Sequence, residues 1–136
     1  MAVTTGKTLK LIVVTPEKAV LDQVAEMVVV PLFDGEAGIQ AGHSPFVGQL
    51  GPGELRYKVG GNTHRLFIDG GFVQVRTDTV NILTPFARKP EELTDALLNA
   101  EKTKAEALPG SNPIETATKQ RAAAKIKGMA KVKAKF

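Results

Sequence analysis

The sequence predicts a mixed fold: an N-terminal antiparallel β-sandwich over residues 1–87, then a C-terminal antiparallel two-helix hairpin over residues 88–136. Three observations carry this. Eleven of the thirteen glycines fall before residue 72, whereas the remainder is rich in Ala, Lys and Glu. Apolar and polar residues alternate over short runs in the first part, which is the period of a half-buried strand. In the second part apolar residues recur at helical spacing behind clear start signals.

The strands follow in order. Residues 9–14 and 24–30 are β-branched and nearly continuous in apolar character, as expected of well-buried strands. In residues 54–59, Leu55, Tyr57 and Val59 alternate with Glu54, Arg56 and Lys58. In residues 65–69, Leu66 and Ile68 alternate with Arg65 and Asp69. Gly60-Gly61-Asn62 between them accepts positive φ and closes a hairpin. Residues 72–77 and 79–84 repeat the pattern about Asp78, with Val73, Val75, Val80 and Ile82 facing inward. Short strands at this spacing make a sandwich or barrel.

The helices follow. Pro90 suits a first helical turn, and Glu91 and Glu92 favour the positive end of its dipole, so a helix is expected over about 90–108. Pro109-Gly110 stops it. Asn112, Pro113 and Glu115 form a capping box that opens a second helix over about 113–134. So short a connection forces the helices antiparallel. The apolar stripe of the second helix is mostly alanine, anchored by Ile126 and Met129, and Gly128 costs about 1 kcal/mol relative to alanine. Such a hairpin docks weakly.

Composition narrows the function. A chain of 136 residues buries one core. It has no cysteine, which excludes disulfides and thiolate chemistry. The longest apolar runs, 11–14 and 27–33, are too short to span a bilayer, and Met-Ala-Val-Thr-Thr-Gly-Lys at the start has no apolar stretch of signal-peptide length. The expectation is a cytoplasmic protein that works at a membrane through partners.

Residues 35–53 concentrate six glycines, two prolines and one of two histidines. No lysine lies among them and no helix follows, so they are not a phosphate loop. Ser44 sits in Gly-His-Ser-Pro, which is not a nucleophile elbow. Two histidines without a carboxylate cluster make no metal site. The glycines read as loops and bulges of a β domain that holds His43 at a surface tip for a partner. No catalytic residue, metal or cofactor is expected.

Charge is uneven. Residues 1–87 hold seven Lys/Arg and eight Asp/Glu, whereas residues 88–136 hold eleven and six. Beyond Glu115 there are seven basic residues and no acidic one. With no aromatic residue before Phe136 and no broad apolar face, this tail suits an acidic protein surface better than nucleic acid or lipid.

Together these residues resemble the epsilon subunit of bacterial-type F-type (rotary) ATP synthase over nearly the whole chain. The resemblance rests on Leu11-Ile-Val-Val-Thr-Pro-Glu17 and on Gly35-Glu-Ala-Gly-Ile39 with Gly42-His-Ser-Pro45 and Leu50-Gly-Pro-Gly53. Gly70-Gly-Phe-Val73 with Val80-Asn-Ile-Leu83 completes it. It implies a non-catalytic central-stalk subunit of a proton-translocating synthase, peripheral on the cytoplasmic face of the bacterial inner membrane. The implied partners are the gamma subunit, the polar loops of the c-ring and the alpha/beta catalytic subunits. Glu36, His43 and Ser44 match the ring and gamma contacts, with Glu36 a fixed anion for a ring arginine. The helices of this family move between a compact and an extended form, and the extended form blocks ATP hydrolysis. Lys119, Arg121, Lys125 and Lys127 are the candidates for that inhibitory contact.

One departure stands out. Some members bind ATP through Leu/Ile-Asp-x-x-Arg-Ala in the first helix. Here Thr94 replaces the aspartate and Leu97 the arginine, so no ATP binding is expected there. The competing reading is a β domain with a basic tail that binds nucleic acid.

Overall fold

In a computed structural model the described residues are 7–134. The expectations placed on the first six residues, and on Lys135 and Phe136, lie outside them. Eight strands come first: β1 (Leu9–Val14), β2 (Ala19–Ala25), β3 (Met27–Leu32), β4 (Gly35–Gln40), β5 (Phe46–Val59), β6 (Asn62–Arg76), β7 (Thr79–Leu83) and β8 (Ala87–Arg88). A 3-10 turn (Pro90–Glu92) leads to α1 (Asp95–Glu106) and α2 (Pro113–Ala134). Among the described residues no helix is long and apolar enough to cross a membrane.

Strand order is β2-β1-β7-β6-β5-β3-β4, with β8 also on β6. All pairs are antiparallel except β1 with β7. The continuous ladder becomes a sandwich because its two longest strands serve both layers. The first part of β5 pairs with the end of β6, and its second part pairs with β3 and the start of β6. Sandwich corners of this kind need bends or bulges. Here they are Gly51-Pro52-Gly53 and Gly70-Gly71. Gly71 has φ 107°, and a Cβ there would lie 2.0 Å from the Leu83 carbonyl oxygen. Only glycine fits.

The inward set is the expected one. Leu55, Leu66, Ile68, Val73, Val75, Val80 and Ile82 are buried with Leu11, Val13, Val28, Val30 and Ile39. Tyr57 and Val59 pack at the core's edge. The strands expected at 54–59, 65–69 and 72–77 are parts of β5 and β6. The glycine-rich segment is not mainly loop either, since it supplies β4 and the first half of β5. Its glycines relieve close approaches: a Cβ on Gly48 would meet Leu32 and Val73, and one on Gly38 would meet the Met27 methyl at 3.1 Å.

The helix expected from Pro90 begins later. Leu93 adopts φ −85°, ψ 66° and drops its side chain into an apolar cluster with Phe67, Met129 and Val132. That burial interrupts helical backbone. Thr94 then starts α1 by accepting a hydrogen bond from the Leu97 N–H at 3.2 Å. The capping box of α2 is displaced by one residue. Asn112 Oδ1 accepts from the Glu115 N–H at 2.8 Å, while Glu115 reaches back to the Ser111 N–H and hydroxyl. Val132, not Ile126, joins Met129 as a fully buried anchor. The hairpin covers the outer face of β5 and β6 around Phe67.

Candidate functional site

Three surfaces carry chemistry, and β5 and β6 support all of them. The first lies at the β4 end. Glu36 stands on the outer face of β4, opposite Pro31. Its carboxylate accepts hydrogen bonds from both terminal nitrogens of Arg56, at 3.1 and 3.4 Å. Arg56 also donates to Glu54 at 3.1 Å, and the other Glu54 oxygen lies 3.4 Å from Arg65 Nε. A ladder of alternating charge thus crosses from β4 to β6. Glu54 is its buried member, 8% exposed at the side chain, and two cations offset its desolvation. The hydrogen bonds that Arg56 donates to Glu36, then to Glu54, push its guanidinium pKa further up. Glu36 is half-exposed and is paired with Arg56 within the chain.

His43 lies between β4 and β5, exposed beside exposed Ser44. The loop is tightly specified. The His43 N–H closes a turn on the Gln40 carbonyl at 3.1 Å. The Gly42 N–H donates to Asp78 Oδ1 at 2.8 Å. His43 Nδ1 lies 2.7 Å from the Ser44 carbonyl, an obligate acceptor, so Nδ1 carries hydrogen. The neutral ring is left with Nε2 as an acceptor. Its ring contacts that of Phe46, tilted by 54° with 5.3 Å between centroids. A cleft of about 290 Å³ runs alongside, lined by Met27, Gly38, Gln40, Ala41, Gly42 and His43.

The second surface is apolar and was missed from the sequence. Val47, Phe72 and Leu83 are 70%, 56% and 53% exposed. Phe72 pairs directly with Leu83, and Val47 pairs with Gln74, two residues along β6. They form one strip on the outer face of the sandwich. Phe33, also exposed, adjoins it by donating its N–H to the Gln49 carbonyl. The signal was present in β6. Phe67 and Phe72 are both out of phase with its inward residues, and Gly70-Gly71 shifts the alternation by one residue between them. The helices cover Phe67 and leave Phe72 bare.

The third surface is α2. Lys119, Arg121 and Lys127 are exposed, but Lys125 turns inward. Its ammonium lies 3.4 Å from Glu101 of α1, 3.9 Å from Asp69 of β6 and 3.9 Å above the Phe86 ring. One cation therefore ties α2 to α1 and to the sandwich. Burial pushes the Asp69 carboxyl pKa up, and Lys125 and Arg121 oppose that. Lys133 pairs with Asp95. Two cations of the basic tail are thus satisfied within the chain, which leaves less for nucleic acid. Thr94 spends its hydroxyl as a cap, and Leu97 packs on the apolar cluster around Phe67. Among the described residues no group of three or more His, Cys, Asp or Glu could hold a metal ion.

Residues 8–90 match the family model for the β-sandwich domain of the ATP synthase delta/epsilon chain. The ATP synthase epsilon chain of Rhodopirellula baltica is 44% identical over 122 residues, covering 88% of this chain and 94% of that one. That of Nitratidesulfovibrio vulgaris is 40% identical over 87 residues, covering 64% of this chain and 65% of that one. A chain in the cryo-EM structure of Euglena gracilis mitochondrial ATP synthase (OSCP/F1/c-ring, rotational state 1) superposes with a TM-score of 0.76. It is 24% identical and is matched over 96% of this chain and 84% of its own length.

Proposed function

We propose, for a chain that belongs to the ATP synthase delta/epsilon family, that it is the non-catalytic subunit coupling the membrane ring to the central stalk. The observation that carries the reading is the strip of Val47, Phe72 and Leu83. Large apolar side chains grouped on a rigid sheet mark a protein-binding surface. A gamma subunit takes it, and the His43 loop with its cleft meets the polar loops of the c-ring. The pairing of Glu36 with Arg56 makes the ring contact depend on hydrogen bonds at His43 and Ser44 more than on a fixed charge.

Regulation belongs to the hairpin. In the docked arrangement Lys119, Arg121 and Lys127 face solvent while Lys125 is held by Asp69 and Glu101. For all four to engage the acidic surface of the catalytic subunits, α2 must leave β5 and β6. The docked hairpin is therefore the permissive form, and release brakes hydrolysis. The division at residue 87 is part of this proposal, with the sandwich transmitting and the helices restraining. On this reading the chain sits peripherally on the cytoplasmic face of a bacterial inner membrane, in a machine driven by protons.

The test is co-purification with gamma. Phe72→Lys puts a charge in the middle of the strip and should cost about 2 kcal/mol, roughly 30-fold in affinity. Retention of Phe72→Lys by gamma at wild-type affinity would remove the strip as the interface.

A further inference from the structure

We infer that Asp78 is the positioning residue of the His43 loop, reaching it from the other layer's β6–β7 turn; this rests on the reading of that loop as a ring contact. The geometry is specific. Asp78 is the one non-glycine residue with positive φ, at 50°, among the described residues. Aspartate tolerates this left-handed conformation better than most residues. The turn is anchored from below, because the Lys10 N–H donates to the Asp78 carbonyl at 2.9 Å. Its side chain then reaches across a sequence separation of 36 residues to accept the Gly42 N–H at 2.8 Å.

Gly42 is where the loop needs help. It has φ 84°, and a Cβ there would meet nothing within 4 Å, so packing does not restrain it. Without Asp78, the turn at residues 40–43 is closed by one backbone hydrogen bond at 3.1 Å. With it, the Ala41–Gly42 peptide is fixed as well, on the other side of Gly42 from the peptide whose N–H closes the turn. The Nδ1 bond to the Ser44 carbonyl and the Phe46 contact then fix the ring itself. His43 forms one wall of its 290 Å³ cleft with Nε2 as acceptor. The group that fits is a hydrogen-bond donor on the partner's loop, an amide or a guanidinium. Asp78 contributes by ordering the loop before binding, which saves that cost at association.

The test separates the carboxylate from the backbone. Asp78→Gly keeps the left-handed turn and removes the acceptor; Asp78→Asn keeps both. In the isolated subunit, exchange of the Gly42 amide should rise about fivefold in Asp78→Gly, and the asparagine should restore it. In the assembled synthase in membrane vesicles, ATP-driven proton pumping per ATP hydrolysed should fall in Asp78→Gly and recover in Asp78→Asn. Gly42 exchange unchanged in Asp78→Gly overturns the inference. So does loss of pumping in His43→Ala without loss in Asp78→Gly. Full pumping in His43→Ala would instead overturn the ring-contact reading, and this inference with it.

Discussion

Replacing Gly128 with alanine sets helix propensity against docking. Gly128 lies in the interior of α2, where alanine is favoured by about 1 kcal/mol. On a free helix the substitution stabilises. In the docked hairpin the glycine faces Phe67, and a Cβ would lie 2.8 Å from ring carbon Cε1. The ring cannot retreat, because Phe67 is fully buried and Phe86 meets it edge-on at 5.9 Å. Overpacking of this kind costs roughly 1–3 kcal/mol. The helix exists in both the docked and the undocked form, so the propensity gain largely cancels between them. Docking should then weaken by about 2 kcal/mol, roughly 30-fold. The chain has no cysteine, so a single Val132→Cys provides a clean probe at a side chain that is 2% exposed when docked. Thiol labelling at that position should speed up about 30-fold in Gly128→Ala while helical circular dichroism stays equal or rises. Slower labelling in the alanine variant would refute the view that Gly128 is the notch that seats α2.

Lys125→Met leaves Asp69 and Glu101 without their shared cation, and hydrogen exchange in α2 should accelerate as docking loses about 2 kcal/mol. Burial holds the Asp69 carboxyl above its ordinary value in the docked form, and undocking would return it toward solvent. Its contribution to docking is complete below the ordinary carboxylate pKa of about 4 and disappears as pH rises through the raised value. Protection of α2 should therefore decline over that interval, and Asp69→Asn should flatten the slope. Gly71→Ala drives a Cβ against the Leu83 carbonyl and should cost at least about 3 kcal/mol, read as a fall in the thermal midpoint of the sandwich.

Local rules reached the fold further than the site. The inward set of β5, β6 and β7 followed from alternation alone, and the Asn112–Glu115 start of α2 from capping chemistry. What alternation does not record is a strand that changes layer. Gly51-Pro52-Gly53 and Gly70-Gly71 read as turns or bulges, but they are corners within two continuous strands. The same corner shifts the phase of β6 and exposes Phe72. The start of α1 slipped because Leu93 has a tertiary partner, and burial of its side chain outweighs the helical signal of Pro90 and the two glutamates. His43 was legible as a glycine-framed tip. The partners of Glu36 and Lys125 were not, because Arg56 and Asp69 approach from 20 and 56 residues away along the chain. Asp78 stood out only as a turn residue, since its hydrogen bond to Gly42 exists only once the layers are assembled.

The most direct measurement uses ATP synthase membrane vesicles stripped of this subunit and reconstituted with either the full chain or residues 1–89. The shorter form ends after β8 and so keeps its pairing with β6. ATP hydrolysis and ATP-driven proton pumping are recorded together. Both forms should restore pumping, and the shorter one should hydrolyse ATP faster than the full chain. Pumping restored by neither form would contradict a coupling role for the sandwich. Equal hydrolysis rates with the two would contradict the helices as a brake.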